Sequence, residues 1–89
     1  MFTLLIPVFN EEQSIEQTVL SAKNTLEKLD EDFEIVVIND GSTDRTAEIL
    51  AGLSVPEMKI VNHKQNRGYG ASMKTGIRHS LGEVIGTTD

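Results

Sequence analysis

The sequence predicts an α/β fold, a parallel sheet with helices on both faces, and three observations lead there. Four short segments read as strands, and the first two, FTLLIPV at residues 2–8 and FEIVVI at 33–38, are apolar almost throughout. Unbroken apolar strands are those buried on both faces, as in a parallel sheet between helical layers. The stretches between the strands carry helical spacing or helix-start residues, with turn-forming clusters at the joints. The resulting order β-α-β-α-β-α-β implies right-handed crossovers.

Each element has its own justification. After Val8, Asn10 offers an N-cap with Gln13 at capping-box spacing. Ile15, Val19, Ala22, Leu26 and Leu29 then form one apolar helical stripe, with Glu16, Lys23, Glu27 and Lys28 off it. The second strand, Phe33–Ile38, ends at Asn39-Asp40-Gly41. Ser42, Thr43 and Asp44 are turn and capping residues, and Asp44 is expected to start a helix through Ala47, Leu50 and Leu53. Gly52 and Pro56 end that helix. Lys59–Asn62 is the third strand, His63–Gly70 a loop, and Ala71–Ser80 the third helix. Gly82 precedes a fourth strand, Glu83–Thr88, which leads into Asp89.

Composition narrows the function classes. The chain has 89 residues, enough for one small domain, with no repeat and no internal boundary. It contains no cysteine, so no disulfide or thiolate metal site is available, and an intracellular location is the simpler expectation. No apolar run approaches the roughly 20 residues that span a bilayer, and no signal peptide is visible, so membrane association is expected only through regions outside this chain. The net charge is −6, but residues 1–50 hold eleven carboxylates against three Lys/Arg and residues 51–89 hold three against five. No basic surface dominates, so nucleic acid is not an expected partner. The group Asp30-Glu31-Asp32 with Glu34 reads as a solvated helix-to-strand connection.

In open parallel sheets, ligands bind beyond the carboxyl ends of the strands. Those ends carry Pro7-Val8-Phe9-Asn10-Glu11, Asp40-Gly41-Ser42 and Thr88-Asp89, so three acid-bearing loops are expected to meet at one crevice. A dinucleotide site needs glycines after the first strand to admit a pyrophosphate, and Asn10-Glu11-Glu12 stands there instead. The first turn suits a nucleotide whose base and ribose, not phosphates, face it. Glu11 can accept from a ribose hydroxyl and Asp40 from a ring N–H of a base, with Phe9 beside the base. Phosphates near Asp89 would require a divalent cation between the charges.

Several of these residues also have plain structural readings. Pro7 can simply end the first strand, Phe9 can be core, and Glu11 can be a first-turn carboxylate that favours the helix dipole. Arg67, in a glycine-flanked loop, can reach phosphate or base or remain an idle surface charge. Lys74 reads as an exposed helix lysine. His63 and His79 have no partners at metal-ligand spacing and receive no metal role.

The runs IPVFNEEQSIEQTV, VVINDGSTDRTAEIL, NRGYGASMKTGI and GEVIGTTD resemble family 2 glycosyltransferases of the GT-A fold, over essentially the whole chain. NRGYGASMKTGI is most similar to the branch acting on polyprenyl phosphates, such as dolichyl-phosphate sugar synthases. The resemblance implies the Rossmann-like, nucleotide-binding N-terminal part of a transferase domain over residues 1–89, with the acceptor half and catalytic base outside the chain. It implies that Pro7, Val8, Phe9, Glu11, Asp40, Gly41, Arg67 and Asp89 form the donor site, with Asp40 on the base. Asp89 matches the first acid of an Asp-x-Asp motif that holds the donor diphosphate through Mg²⁺ or Mn²⁺. The implied partners are a UDP-sugar or GDP-sugar donor and a lipid-phosphate or glycan acceptor, at the cytoplasmic face of a membrane. Self-association through an exposed sheet edge is a further expectation. The alternative reading is a non-catalytic nucleotide-binding or assembly module. A phosphorylated receiver domain is disfavoured, because Asn62-His63 stands where its acceptor aspartate belongs.

Overall fold

The computed structural model describes residues 1–88. The elements run β1 (Phe2–Val8), α1 (Ile15–Glu27), β2 (Phe33–Asp40), α2 (Thr46–Ala51), β3 (Met58–His63), α3 (Tyr69–His79) and β4 (Glu83–Thr87). All strands pair in parallel, in the order β3-β2-β1-β4. The chain steps outward from β1 to β3, and α3 then carries it back across the sheet to β4 on the far side of β1. That reversal puts α1 and α2 on one face and α3 on the other. The expected fold is the observed one.

Two cores explain the apolar runs. Ile35 and Val37 of β2 join Ile6, Val8, Ile15, Val19, Leu26 and Leu50 beneath α1 and α2. Val36 and Ile38 point the other way, packing with Leu5 against Met73 of α3. Side chains alternate along a strand, so the stretch Ile35–Ile38 that serves both cores is apolar at every position, and the buried polar residues Glu34, Asn39 and Asp40 fall at its ends. The buried face of α3 is made of Ser72, Thr75 and Gly76. A Cβ on Gly76 would sit 2.8 Å from Ile38 Cδ1, so the missing side chain lets the helix lie close on the sheet.

Pro7 is tolerated in an inner strand because of where it falls. Leu5 accepts the Thr88 N–H through its carbonyl, on the β4 side. Pro7, two residues on, turns its nitrogen to the same side beyond the last β1–β4 pair, Leu5 with Thr87. Its missing N–H removes none of the bonds between the β1–β4 pairs among the described residues.

Three expectations are corrected. Asn10 does not cap α1; it takes a left-handed conformation (φ 52°), and the helix begins at Ile15 after a turn in which the Ser14 and Ile15 N–H groups donate to the Glu11 carbonyl. Leu29 lies past the end of α1 and is 47% exposed, so the apolar stripe stops at Leu26. Glu34 is not solvated but 7% exposed. Its Oε2 accepts from the Thr3 hydroxyl at 2.7 Å, the Leu81 N–H and the Gly82 N–H at 3.2 Å. Lys59 Nζ lies 3.3 Å from Oε1 and also donates to the His79 carbonyl at the end of α3. Burial pushes the Glu34 carboxyl up, but these bonds outweigh it and hold it below the ordinary glutamate value. This clamp ties the α3–β4 connection to the amino-terminal edge of the sheet.

Candidate functional site

The opposite, carboxyl edge holds the residues singled out in the sequence. The loops after β1 and β2 are bolted together there. Asn10 N–H donates to Ser42 Oγ at 2.9 Å, Glu11 N–H to Thr46 Oγ1 at 2.9 Å and Glu12 N–H to Asp44 Oδ2 at 3.3 Å. In return Asn10 Oδ1 accepts the Thr43 N–H at 2.8 Å. Asp44 also accepts the Thr46 N–H and hydroxyl at 2.9 and 2.6 Å, which starts α2 as expected. A desolvation effect raises the Asp44 carboxyl, and the Thr46 and Glu12 donors more than reverse it.

Asp40 is the last residue of β2, inside the strand and not beyond it, and is 5% exposed. Its Oδ1 lies 2.8 Å from His63 Nδ1 and accepts the Arg67 N–H at 2.9 Å, while Oδ2 accepts the Gly68 N–H at 2.9 Å. Burial pushes this carboxyl up, but His63 and the two backbone donors prevail, so it stays below the ordinary aspartate value and ionised at neutral pH. An ionised carboxylate only accepts, so the proton between it and His63 belongs to Nδ1. On the other side of the ring, Nε2 pairs with Thr75 Oγ1 at 2.8 Å, and that oxygen accepts from Arg78 Nη2 at 3.4 Å. The ring is thus held from both sides, by Asp40 at Nδ1 and by the Thr75 hydroxyl at Nε2.

Asp40 stands at a cleft of about 200 Å³ shared with Pro7, Val8 and Phe9 from the end of β1, and with Asn66, Gly68, Tyr69 and Ser72 around the start of α3. Phe9 and Tyr69 are 44% and 62% exposed, giving the rim two aromatic rings. Ser72 lies beneath, 1% exposed, and its hydroxyl has no partner among the described residues.

The other proposed site residues divide. Glu11 is exposed and lines a second hollow of about 160 Å³ that shares only the Pro7–Val8 wall with the first. Its Oε2 accepts from Ser14 Oγ at 3.0 Å. Gly41 (φ 73°) makes the turn after Asp40 and presses on the next loop, since a Cβ there would fall 2.3 Å from Asn66 N. Arg67 meets Asp40 through its backbone, and its exposed side chain belongs to a separate depression with Lys64 and Gln65. Asp89 lies outside the described residues. Among the described residues no three His, Asp or Glu side chains gather as a metal site.

His63, Asn66, Tyr69, Ser72 and Thr75 were not marked by the sequence reading. His63 had a signal in principle: it is paired in register with Asp40. That register depends on strand alignment, which spacing alone does not supply.

The fold and the placement of its clefts define a doubly wound α/β domain with its candidate site at the carboxyl edge of the sheet. The family model of Glycosyl transferase family 2 matches residues 3–89, and the chain belongs to that family. It is 34% identical over 90 residues to a dolichyl-phosphate beta-glucosyltransferase of Trichomonas vaginalis, covering 93% of this chain and 27% of the relative. Among solved structures it resembles the mannosyltransferase PcManGT from Pyrobaculum calidifontis in complex with GDP-Man and Mn²⁺, with a TM-score of 0.76 at 26% identity over 93% of this chain and 25% of that one. It also resembles S. aureus TarS in complex with UDP, with a TM-score of 0.74 at 28% identity over 99% of this chain and 27% of that one. The chain spans just over a quarter of the length of the curated relatives it matches.

Proposed function

We propose that these residues bind the nucleotide of a nucleoside-diphosphate-sugar donor, and that the protein they serve transfers the sugar to an acceptor. The observation behind this reading is Asp40: a carboxylate held ionised beside a small cleft rimmed by Phe9 and Tyr69. Aromatic rims receive flat bases, and a fixed acceptor reads a ring N–H. Glu11, across the Pro7–Val8 wall, supports the reading as an exposed acceptor for ribose hydroxyls. Family membership and the UDP and GDP-Man complexes of similar proteins support a UDP-sugar or GDP-sugar donor.

The acceptor half and the catalytic base belong, in this proposal, to regions outside the 89 residues. A polyprenyl phosphate at the cytoplasmic membrane face is the acceptor suggested by the dolichyl-phosphate relative. No helix among the described residues is long and apolar enough to cross a membrane. A divalent cation, Mg²⁺ or Mn²⁺, enters through Asp89, and the Mn²⁺ of the similar mannosyltransferase supports it. When bound, the metal would neutralise the leaving diphosphate.

Titration calorimetry with UDP and GDP in the presence of Mn²⁺ tests the reading. Binding of at least one nucleotide is expected, weakened about three- to thirtyfold in both Phe9→Ala and Tyr69→Ala, whose rings are exposed enough to leave the fold intact. Full affinity in both variants would place the nucleotide elsewhere.

A further inference from the structure

We propose that His63, braced by Thr75, sets the base selectivity of the Asp40 cleft, so that it reads a base with a single ring N–H between carbonyls, of the uracil type, in preference to guanine. This rests on the donor-site reading above and deepens it.

The case begins with acceptor capacity. A carboxylate offers about four lone-pair positions, two on each oxygen. Oδ1 of Asp40 is filled by His63 Nδ1 and the Arg67 N–H, and Oδ2 has one position taken by the Gly68 N–H. One acceptor position remains, on Oδ2. Guanine presents a ring N–H and an amino group side by side, and pairs with a carboxylate through both oxygens at once. Here the second oxygen is already spent, and guanine would bury an unpaired amino group at the cost that unpaired polar groups carry. Uracil presents one N–H, which the single free position satisfies. Cytosine presents a bare ring nitrogen, which a carboxylate repels.

The surroundings suit the carbonyls flanking that N–H. Ser72, on the wall of the same cleft, is 1% exposed with no partner for its hydroxyl among the described residues, and a hydroxyl can donate to a carbonyl oxygen.

Of the three groups that occupy Asp40, His63 is the only side chain. The Arg67 and Gly68 donors belong to the backbone of the loop and persist whatever the side chains are. His63 is itself held, with a side chain 6% exposed and Nε2 fixed on Thr75 Oγ1. It therefore pins the carboxylate from a position that touches no ligand, as a positioning residue. Without it one position opens on Oδ1 beside the one already open on Oδ2, and both oxygens can accept from a ligand while the two backbone donors stay in place.

The test is calorimetry of the full-length protein that carries these residues, with UDP, GDP, CDP and N3-methyl-UDP, each with Mn²⁺, and with thermal melts run in parallel. The wild type is expected to bind UDP about tenfold or more tighter than GDP, CDP and N3-methyl-UDP. His63→Leu, which removes the donor, is expected to narrow the UDP-to-GDP ratio to within about threefold. His63→Gln, which can return an N–H to Asp40, is expected to restore the preference. A ratio is used because lost stability weakens both nucleotides alike. GDP bound as tightly as UDP by the wild type overturns the inference and leaves the donor site standing. An unchanged ratio in a folded His63→Leu overturns the role of His63. Binding of no nucleotide at all overturns the donor-site reading and this inference with it. Thr75→Val carries the same argument should His63→Leu not fold: it should shift the ratio in the same direction by a smaller factor, and an unchanged ratio there counts against the proposal.

Discussion

Asp40 and His63 close the carboxyl ends of two adjacent strands in register, with Oδ1 and Nδ1 2.8 Å apart. One pairing thus orients the buried acid of the candidate site and joins β2, β3 and, through Thr75, α3. Stability and site geometry are consequently linked at this point.

Acid should unfold the protein through its buried carboxylates. Asp40 and Glu34 both sit below their ordinary values in the folded state, so in the window between the two values the unfolded chain binds more protons. Their contribution is fully present above the ordinary carboxylate range and is lost as pH falls through the folded values. Urea midpoints should be level from pH 7 to about 5 and drop below about pH 4. Asp40→Asn should flatten that drop, and an equally steep fall in the variant would remove Asp40 from the account.

Glu34 should govern the far end of the sheet. Glu34→Ala leaves the Leu81 N–H without its acceptor and removes one of two partners from the Gly82 N–H and the Lys59 ammonium, which keep Thr3 Oγ1 and the His79 carbonyl. We expect a loss of about 2–4 kcal/mol. Hydrogen exchange should accelerate most at Val84–Thr87 of β4, and least in the β1–β2 pair. Uniform acceleration across the sheet would mean the clamp is not local.

Gly41→Ala should be costly for two reasons at one position. The residue has φ 73°, and an added Cβ would collide with backbone atoms of Gln65 and Asn66, at 2.3 Å, with no flexible side chain to yield. About 2 kcal/mol or more of destabilisation is expected from a urea midpoint. Gly68→Ala, with φ 97° but nothing within 4 Å of the added carbon, isolates the conformational part and should cost less.

Self-association should run through β4. Among the described residues this strand pairs only with β1, and Val84 and Ile85, at the register shift between the two strands, are 37% and 44% exposed. Light scattering should show mass rising with concentration, and the double substitution Val84→Lys with Ile85→Lys should suppress it. A monomer at every concentration would remove this expectation.

Much of the architecture was legible in the sequence. β1 was read to the residue, the two-sided burial of β2 followed from its unbroken apolar run, and Asp44 was read as the start of α2, because strand periodicity and turn chemistry are local properties. Asn10 and Glu34 were misread for the opposite reason. An asparagine before an apolar stripe resembles a cap, and a glutamate beside three acids resembles solvent-facing charge, until distant partners are known: Thr43, and Thr3 with Leu81. Asp40 was marked from its place at a strand end. That its carboxylate is mostly occupied, by His63 and by two N–H groups of the β3–α3 loop, was decided only when the strands aligned. Local sequence determines which segments become strands and helices, because those preferences act over a few neighbours. Which lone pair stays open for a ligand depends on groups more than twenty residues apart, and only tertiary packing brings them within hydrogen-bond reach.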